Sequence, residues 1–156
     1  MTEKPYEYLS DDEYKFVYSR TPRLCVDLAV VGKDGVLLTL RQIPPFKNTW
    51  HFPGGRVLHK ETIEDAIKRI AGKELGVEMI SSKLLDFLEV PNDGPYVHSV
   101  SLVFLVKISG ADNIKTDEQA SDASFFKKLP KNIHPHQRSV LEKHTKRLGI
   151  KFDDDL

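Results

Sequence analysis

The sequence predicts an α+β domain, layered α/β/α, with a mixed β-sheet between helices. Three observations lead there. Arg23 to Val31 is an apolar, β-branched run suited to a buried strand, and Val36 to Leu40 returns as a second strand after the turn Gly32-Lys33-Asp34-Gly35. An amphipathic helical pattern then occupies the stretch between Thr62 and Gly76. Further strand patterns follow it, and a last helix closes the chain. Strands, then helix, strands and helix call for a sheet covered on both faces.

The elements follow in order. Asp27 interrupts the first apolar run with a carboxylate. Gln42 to Thr49 holds two prolines and reads as a surface loop. Trp50-His51-Phe52 is a short strand that runs into the backbone breaker Pro53-Gly54-Gly55. Thr62 with Asp65 forms a capping pair for the next helix, and Gly76 stops it. Strands are expected near Leu84–Val90 and Tyr96–Ile108, separated by Pro91-Asn92-Asp93-Gly94-Pro95. Ser124–Phe126 is a short strand. The last helix has Pro135 near its first turn and carries Val140, Leu141, His144 and Leu148 on one face.

A chain of 156 residues suits one domain, 1–156, with an N-terminal segment 1–22 and an acidic tail 151–156. Its 23 basic and 23 acidic residues cancel, which argues against a nucleic-acid partner. Cys25 is the sole cysteine, so neither an internal disulfide nor an all-cysteine zinc site can form; in its apolar run it reads as a buried thiol. The first twenty residues hold no apolar stretch of signal-peptide length and no window reaches membrane-span length, so the expectation is a cytoplasmic protein without a membrane partner.

The helix carries the first chemical signal. At 100° per residue, Ile63, Ala66, Ile67, Ile70 and Ala71 share one face, and Glu74 falls near its middle. An ionised carboxylate there needs a cation, a metal or several donors, unless the last turn bends it out to water. Arg56 follows the Gly54-Gly55 turn, where a ligand can approach the backbone closely, and Arg69 lies at the edge of the apolar face. Planar guanidinium groups suit phosphate oxygens.

Gly55, five residues, Glu61, seven residues, Arg69, then Glu74-Leu75-Gly76-Val77 resembles the Nudix box, and Trp50-His51-Phe52-Pro53-Gly54-Gly55 before it is also typical. The resemblance implies a Nudix fold with a strand-loop-helix metal site and a nucleoside diphosphate-linked substrate. The box is reduced. Where most members carry further glutamates, this chain has Ile70 and Lys73, which leaves Glu74 as the helix ligand and Glu61 as support for the loop.

The GDP-mannose mannosyl hydrolases share this reduced box. The likeness runs from Leu9 and Thr21-Pro22 through Asp27, Gly54-Gly55-Arg56-Val57 and Glu61-Thr62 to Asp117-Glu118-Gln119. It implies that one Mg2+ or Mn2+ is held by Glu74, Gln119 and a backbone carbonyl of Gly54 or Gly55. Arg41, Arg56 and Arg69 would steady the diphosphate, Glu118 would touch substrate, and Asp27 would sit near the sugar or the metal water. That branch attacks the sugar carbon, with a histidine after the glutamine as base and a tyrosine assisting the leaving group. This chain has Ala120 and Ser99 at those two places, and its 91–95 loop is short. His98 is the first substitute base, ahead of Glu118, His51 and His134. Missing a general base costs roughly 10²–10⁴ in rate.

His134 and His136, two apart, do not share a helix face and read mainly as capping or rim residues. Trp50 and Phe52 read as core. Nudix proteins are often dimers, and Tyr8, Leu9, Tyr14, Phe16 and Val17 would either form such a homodimer interface or cover the chain's own core. Three functions follow in order: hydrolase of a nucleoside diphosphate sugar, pyrophosphohydrolase of a nucleotide derivative, and a binding module that recognises a nucleotide sugar without cleaving it.

Overall fold

The computed structural model describes residues 8–116 and 120–152. Its strands are β1 Arg23–Gly32, β2 Gly35–Arg41, β3 Trp50–His51, β4 Gly54–Arg56, β5 Glu78–Val90, β6 Ser99–Ser109 and β7 Ala120–Phe126. Its α-helices are α1 Asp11–Tyr18, α2 Ile63–Ile70, α3 Arg138–Lys143 and α4 Thr145–Leu148. The described strands form one sheet in the order β3-β2-β1-β6-β5, with β4 added beside β1 and β7 beside β2. The β1–β6 pair is parallel and the others are antiparallel, so the sheet is mixed.

Alternation along β1 builds the layers. Val26, Leu28 and Val30 point to one face, where Ala66, Ile67 and Ile70 of α2 cover them. Ala29 points to the other, with Val36, Leu38 and Val103, beneath Val140, Leu141 and Leu148. The α+β layering read from the sequence is therefore the observed one. Among the described residues no helix is long and apolar enough to cross a membrane.

β1 also creates the cleft. It keeps β6 on one side from Arg23 to Val30. On the other side Cys25–Asp27 pair with β4, whereas Val31 and Gly32 pair with β2. The sheet splits where β1 changes partner, and the Pro53 carbonyl accepts from the Leu28 N–H at that point.

Several expectations change. β5 begins at Glu78, six residues before the expected Leu84, because Ser81, Ser82 and Lys83 lie exposed on an edge strand and give no apolar signal. β7 begins at Ala120, ahead of Ser124, carried by backbone pairing to β2. The last helix is two short ones broken at His144, and Pro135 lies in the turn before Arg138. α1 was not foreseen, although its Ser10–Glu13 capping box is legible; it buries no residue of its own. Lys151 and Phe152 are not free tail: Lys151 bridges to Lys128, and Phe152 packs on the second core. Residues 153–156 lie outside the described part.

Candidate active site

The helix that follows the glycine turn ends in an unusual way. Thr62 caps α2 by accepting from the Asp65 N–H. After Ile70 the backbone changes to a π-helical turn, Ala71–Leu75, closed by Gly76 at φ 66° with its N–H on the Ala71 and Gly72 carbonyls. A π turn holds more residues than an α turn, so each residue rotates less. Leu75, which a regular helix would carry off the apolar face, becomes fully buried. Glu74 is thereby turned from the middle of that face to its margin. It is half-buried beside β4, and its Oε2 accepts from the Gly54 N–H at 3.0 Å.

The glycine turn is fixed by its surroundings. A Cβ on Gly54 would stand 2.2 Å from Asp27 Oδ1 and 2.6 Å from the Val26 carbonyl oxygen, so only glycine fits. From the other side, buried Gln137 accepts the Phe52 N–H at 2.7 Å and ties the turn to the start of α3.

Glu61 and Arg69 form a clasp below this turn. The Glu61 side chain is 0% exposed; it accepts Arg69 Nε at 2.7 Å, Arg69 Nη2 at 3.0 Å and the Leu58 N–H at 3.0 Å. Arg69 Nη2 also donates to the Arg56 carbonyl at 2.8 Å. Burial alone would raise the Glu61 pKa, but the Arg69 and Leu58 donors outweigh it and hold the carboxyl below its ordinary range. Arg69 lines the cleft, yet its fork is engaged in bracing the loop. Its geometry is that of a support and not of a free phosphate ligand.

The cleft itself measures about 590 Å³, a size suited to a small-molecule ligand. Its floor is the face of the sheet carrying Arg23, Cys25 and Asp27 of β1 beside Ser99 and Ser101 of β6. Asp27 is buried and accepts from Ser101 Oγ at 2.7 Å; burial raises its pKa to about 6 against that hydrogen bond. Arg23 donates to Tyr14 Oη, to Asp93 at 3.1 Å and to Ser99 at 2.8 Å, and Ser99 donates to Asp93 at 2.7 Å. Burial pushes the Cys25 thiol up to about 11, which makes it unreactive at neutral pH.

Arg41 and Arg56 both reach the cleft. Arg56 faces the rings of Tyr8 and Tyr14 at 5.8 and 5.6 Å. Arg41 donates to the Pro45 carbonyl at 2.6 Å, and the loop read as a plain surface connection is a wall of the cleft. His98 lies just before β6 and does not line the cleft, although Val97 and Ser99 on either side of it do. Its carbonyl accepts from the Arg23 N–H. Glu118 and Gln119 lie outside the described residues; Ala120 pairs with Arg41 across β7 and β2.

Residues 21–143 match the family model described as NUDIX domain. The chain belongs to the NUDIX family of hydrolases. It is 32% identical over 146 residues to the low-salt glycan biosynthesis protein Agl8 of Haloferax volcanii, covering 90% of this chain and 93% of that one. It is 31% identical over 121 residues to an ADP-ribose pyrophosphatase of Methanocaldococcus jannaschii, covering 76% and 71%. Among solved structures it resembles the MutT NUDIX hydrolase of Burkholderia pseudomallei, with 27% identity, a TM-score of 0.72, and coverage of 79% and 98%.

Nudix enzymes generally use a divalent metal, and the donors here suit one. Glu74 and the backbone of the glycine turn offer oxygen ligands. Among the described residues no group of three or more His, Cys, Asp or Glu converges, so no all-protein cage is built. A small hard cation held by one or two carboxylates plus substrate phosphates needs none.

The sequence reading passed over Arg23, Asp93, Ser101, Phe46 and Gln137, all of which line the cleft. Asp93 and Phe46 sit in loops without periodic pattern. Arg23 and Ser101 carried a usable signal, since each is polar within an otherwise apolar strand.

Proposed function

We propose that this Nudix enzyme hydrolyses a nucleoside diphosphate sugar at the sugar carbon, as the GDP-mannose mannosyl hydrolases do, with Mg2+ or Mn2+ bound at Glu74. The observation that carries the reading is that, of the places 70, 73 and 74 on the helix, only 74 holds a carboxylate. Ile70 is buried in the core and Lys73 is a cation, so the helix offers no second carboxylate at either place for clustered metals. The relative named for glycan biosynthesis supports a sugar-linked substrate.

In this reading Glu74, a carbonyl of the glycine turn and Gln119 hold the cation, which supplies charge stabilisation for the departing diphosphate. Arg41 and Arg56 face the same oxygens and stabilise the charge as it develops. The water oxygen bonds to the sugar carbon, and the bond from that carbon to the diphosphate oxygen breaks. The electron pair leaves with the nucleoside diphosphate. With His98 out of the cleft, Asp27, held by Ser101 on the floor, takes the proton of the water. No side chain acts as nucleophile.

The ADP-ribose pyrophosphatase relative favours a second reading, in which water attacks phosphorus and a nucleoside monophosphate appears. The test is product analysis on a panel of nucleoside diphosphate sugars with Mg2+ and with Mn2+. Nucleoside diphosphate and free sugar, abolished in Glu74→Gln, are the expected products. A nucleoside monophosphate with a sugar phosphate would overturn carbon attack. Binding without turnover would instead make the protein a recognition module.

A further inference from the structure

One wall of the cleft is built from rings that the hydrolysis does not use. The Phe46 ring lies 4.4 Å from His134 and 5.0 Å from His136, centroid to centroid. His134 and His136 are 5.3 Å apart, and His51 adds a ring at 6.4 Å from His134. Ile43, Pro44 and Pro45 extend this wall with apolar surface. Phe46 has a φ of 64°, a region that a bulky side chain seldom occupies. The loop is held there from several sides: Thr49 Oγ1 donates to the Phe46 carbonyl at 2.6 Å, and Asn132 donates to the Asn48 carbonyl at 2.9 Å.

The polar atoms of these rings ask for a partner. His136 Nε2 is buried and has no hydrogen-bond partner among the described residues. His134 Nδ1 accepts the His136 N–H at 3.2 Å, so the proton of the neutral ring sits on Nε2, as a donor. Burial drives the pKa of both His51 and His134 down to about 4, so both rings are uncharged at neutral pH. Arg41 joins the two ends of the cleft: its charge acts on Glu74 at one end, and on His51 and His134 at the other.

We propose that the wall formed by Phe46, His134 and His136 is the subsite for the nucleobase of the substrate. This rests on the reading of the cleft as a nucleotide-sugar site. A base has flat faces that stack on rings, and an edge of donors and acceptors that meets His134 Nε2; the covered, unpaired His136 Nε2 reaches that edge when its ring turns. A sugar has no such face; its hydroxyls match the floor of Arg23, Asp93, Ser99 and Ser101. A diphosphate at Arg41 then spans the two.

The test is calorimetric titration with Mg2+ present, using inorganic diphosphate, GDP, ADP and UDP in turn. Wild type, Phe46→Ala, His136→Phe and Glu74→Gln are compared. Wild type should bind one nucleoside diphosphate more tightly than inorganic diphosphate. Phe46→Ala should weaken that ligand about 5- to 150-fold and leave inorganic diphosphate unchanged, which also shows that the variant is folded. His136→Phe keeps a ring but loses the nitrogen, so it should alter the ranking among the three bases. Glu74→Gln should weaken every ligand. Equal affinity of wild type for inorganic and nucleoside diphosphates would overturn this assignment alone. So would unchanged nucleotide binding in both ring variants, or an equal loss for inorganic diphosphate. If wild type binds none of the four, the nucleotide-sugar reading falls as well.

Discussion

The Arg69→Ala substitution separates two roles for that arginine, and its effect follows from the geometry of the clasp. Glu61 has a fully covered side chain and receives two of its three donors from Arg69. Truncating Arg69 leaves Glu61 buried with only the Leu58 N–H, and leaves the Arg56 carbonyl without its guanidinium partner. Removing one member of a buried ion pair costs about 3–5 kcal/mol. Arg69 retains 22% side-chain exposure, so the lower end, about 3 kcal/mol, is the expected loss. With a urea slope of about 2 kcal/mol per molar, the unfolding midpoint should fall by roughly 1.5 M. Glu61→Gln should fall by a similar amount, and the double variant should cost much less than the sum, because both changes break the same contact. The assay is urea unfolding of the four proteins, with inorganic diphosphate titrated into each. An unchanged midpoint in Arg69→Ala, together with lost diphosphate binding, would refute the bracing role and return Arg69 to the phosphate.

Two further outcomes follow from the same structure. Gly54→Ala should destabilise the protein by about 1–3 kcal/mol, since its Cβ would meet Asp27 Oδ1 and the Val26 carbonyl. Gly55→Ala meets Ile70 Cδ1 only at 3.5 Å, an ordinary contact, so thermal melts should rank the two variants clearly. Asp86 accepts from His144 Nε2 at 2.8 Å, lies 3.3 Å from Lys143 Nζ and accepts the Phe87 N–H at 2.8 Å, and the His144 contact above all holds its carboxyl below the ordinary carboxylate range. A lowered folded pKa gives stability that is present above the unfolded value and lost as pH falls through the folded one. The gap between wild type and Asp86→Asn in urea midpoint should therefore narrow from near-neutral pH to about pH 3; a constant gap would remove the electrostatic account.

The site was legible wherever a residue broke a pattern in its own neighbourhood. Asp27 interrupts an apolar strand, and Glu74 interrupts an apolar helix face; both come to the cleft. His98 misled because the strand expected from Tyr96 begins only at Ser99, so His98 has no place in its alternation. Pairing Arg23 with Ser99 puts Ser99 and Ser101 on the cleft floor and leaves His98 off it. Arg69 has the right chemistry for phosphate, yet eight residues back in the chain Glu61 lies within hydrogen-bond reach and takes it.

By itself the sequence determined the layering, because β-branched runs and the spacing of apolar residues on α2 are local properties that packing only confirms. It also determined the glycine turn and the Nudix box beside it. Tertiary structure alone decided the π turn that leaves Glu74 half-buried at the margin of the apolar face and buries Leu75, since that change of rotation answers the sheet beneath the helix and not the helix's own residues. It alone decided that Phe46, His51, His134 and His136 share one wall, though up to 90 positions separate them. Contacts of that range are set by how β2, β3 and the approach to α3 fold over the split in the sheet, and no local pattern encodes them.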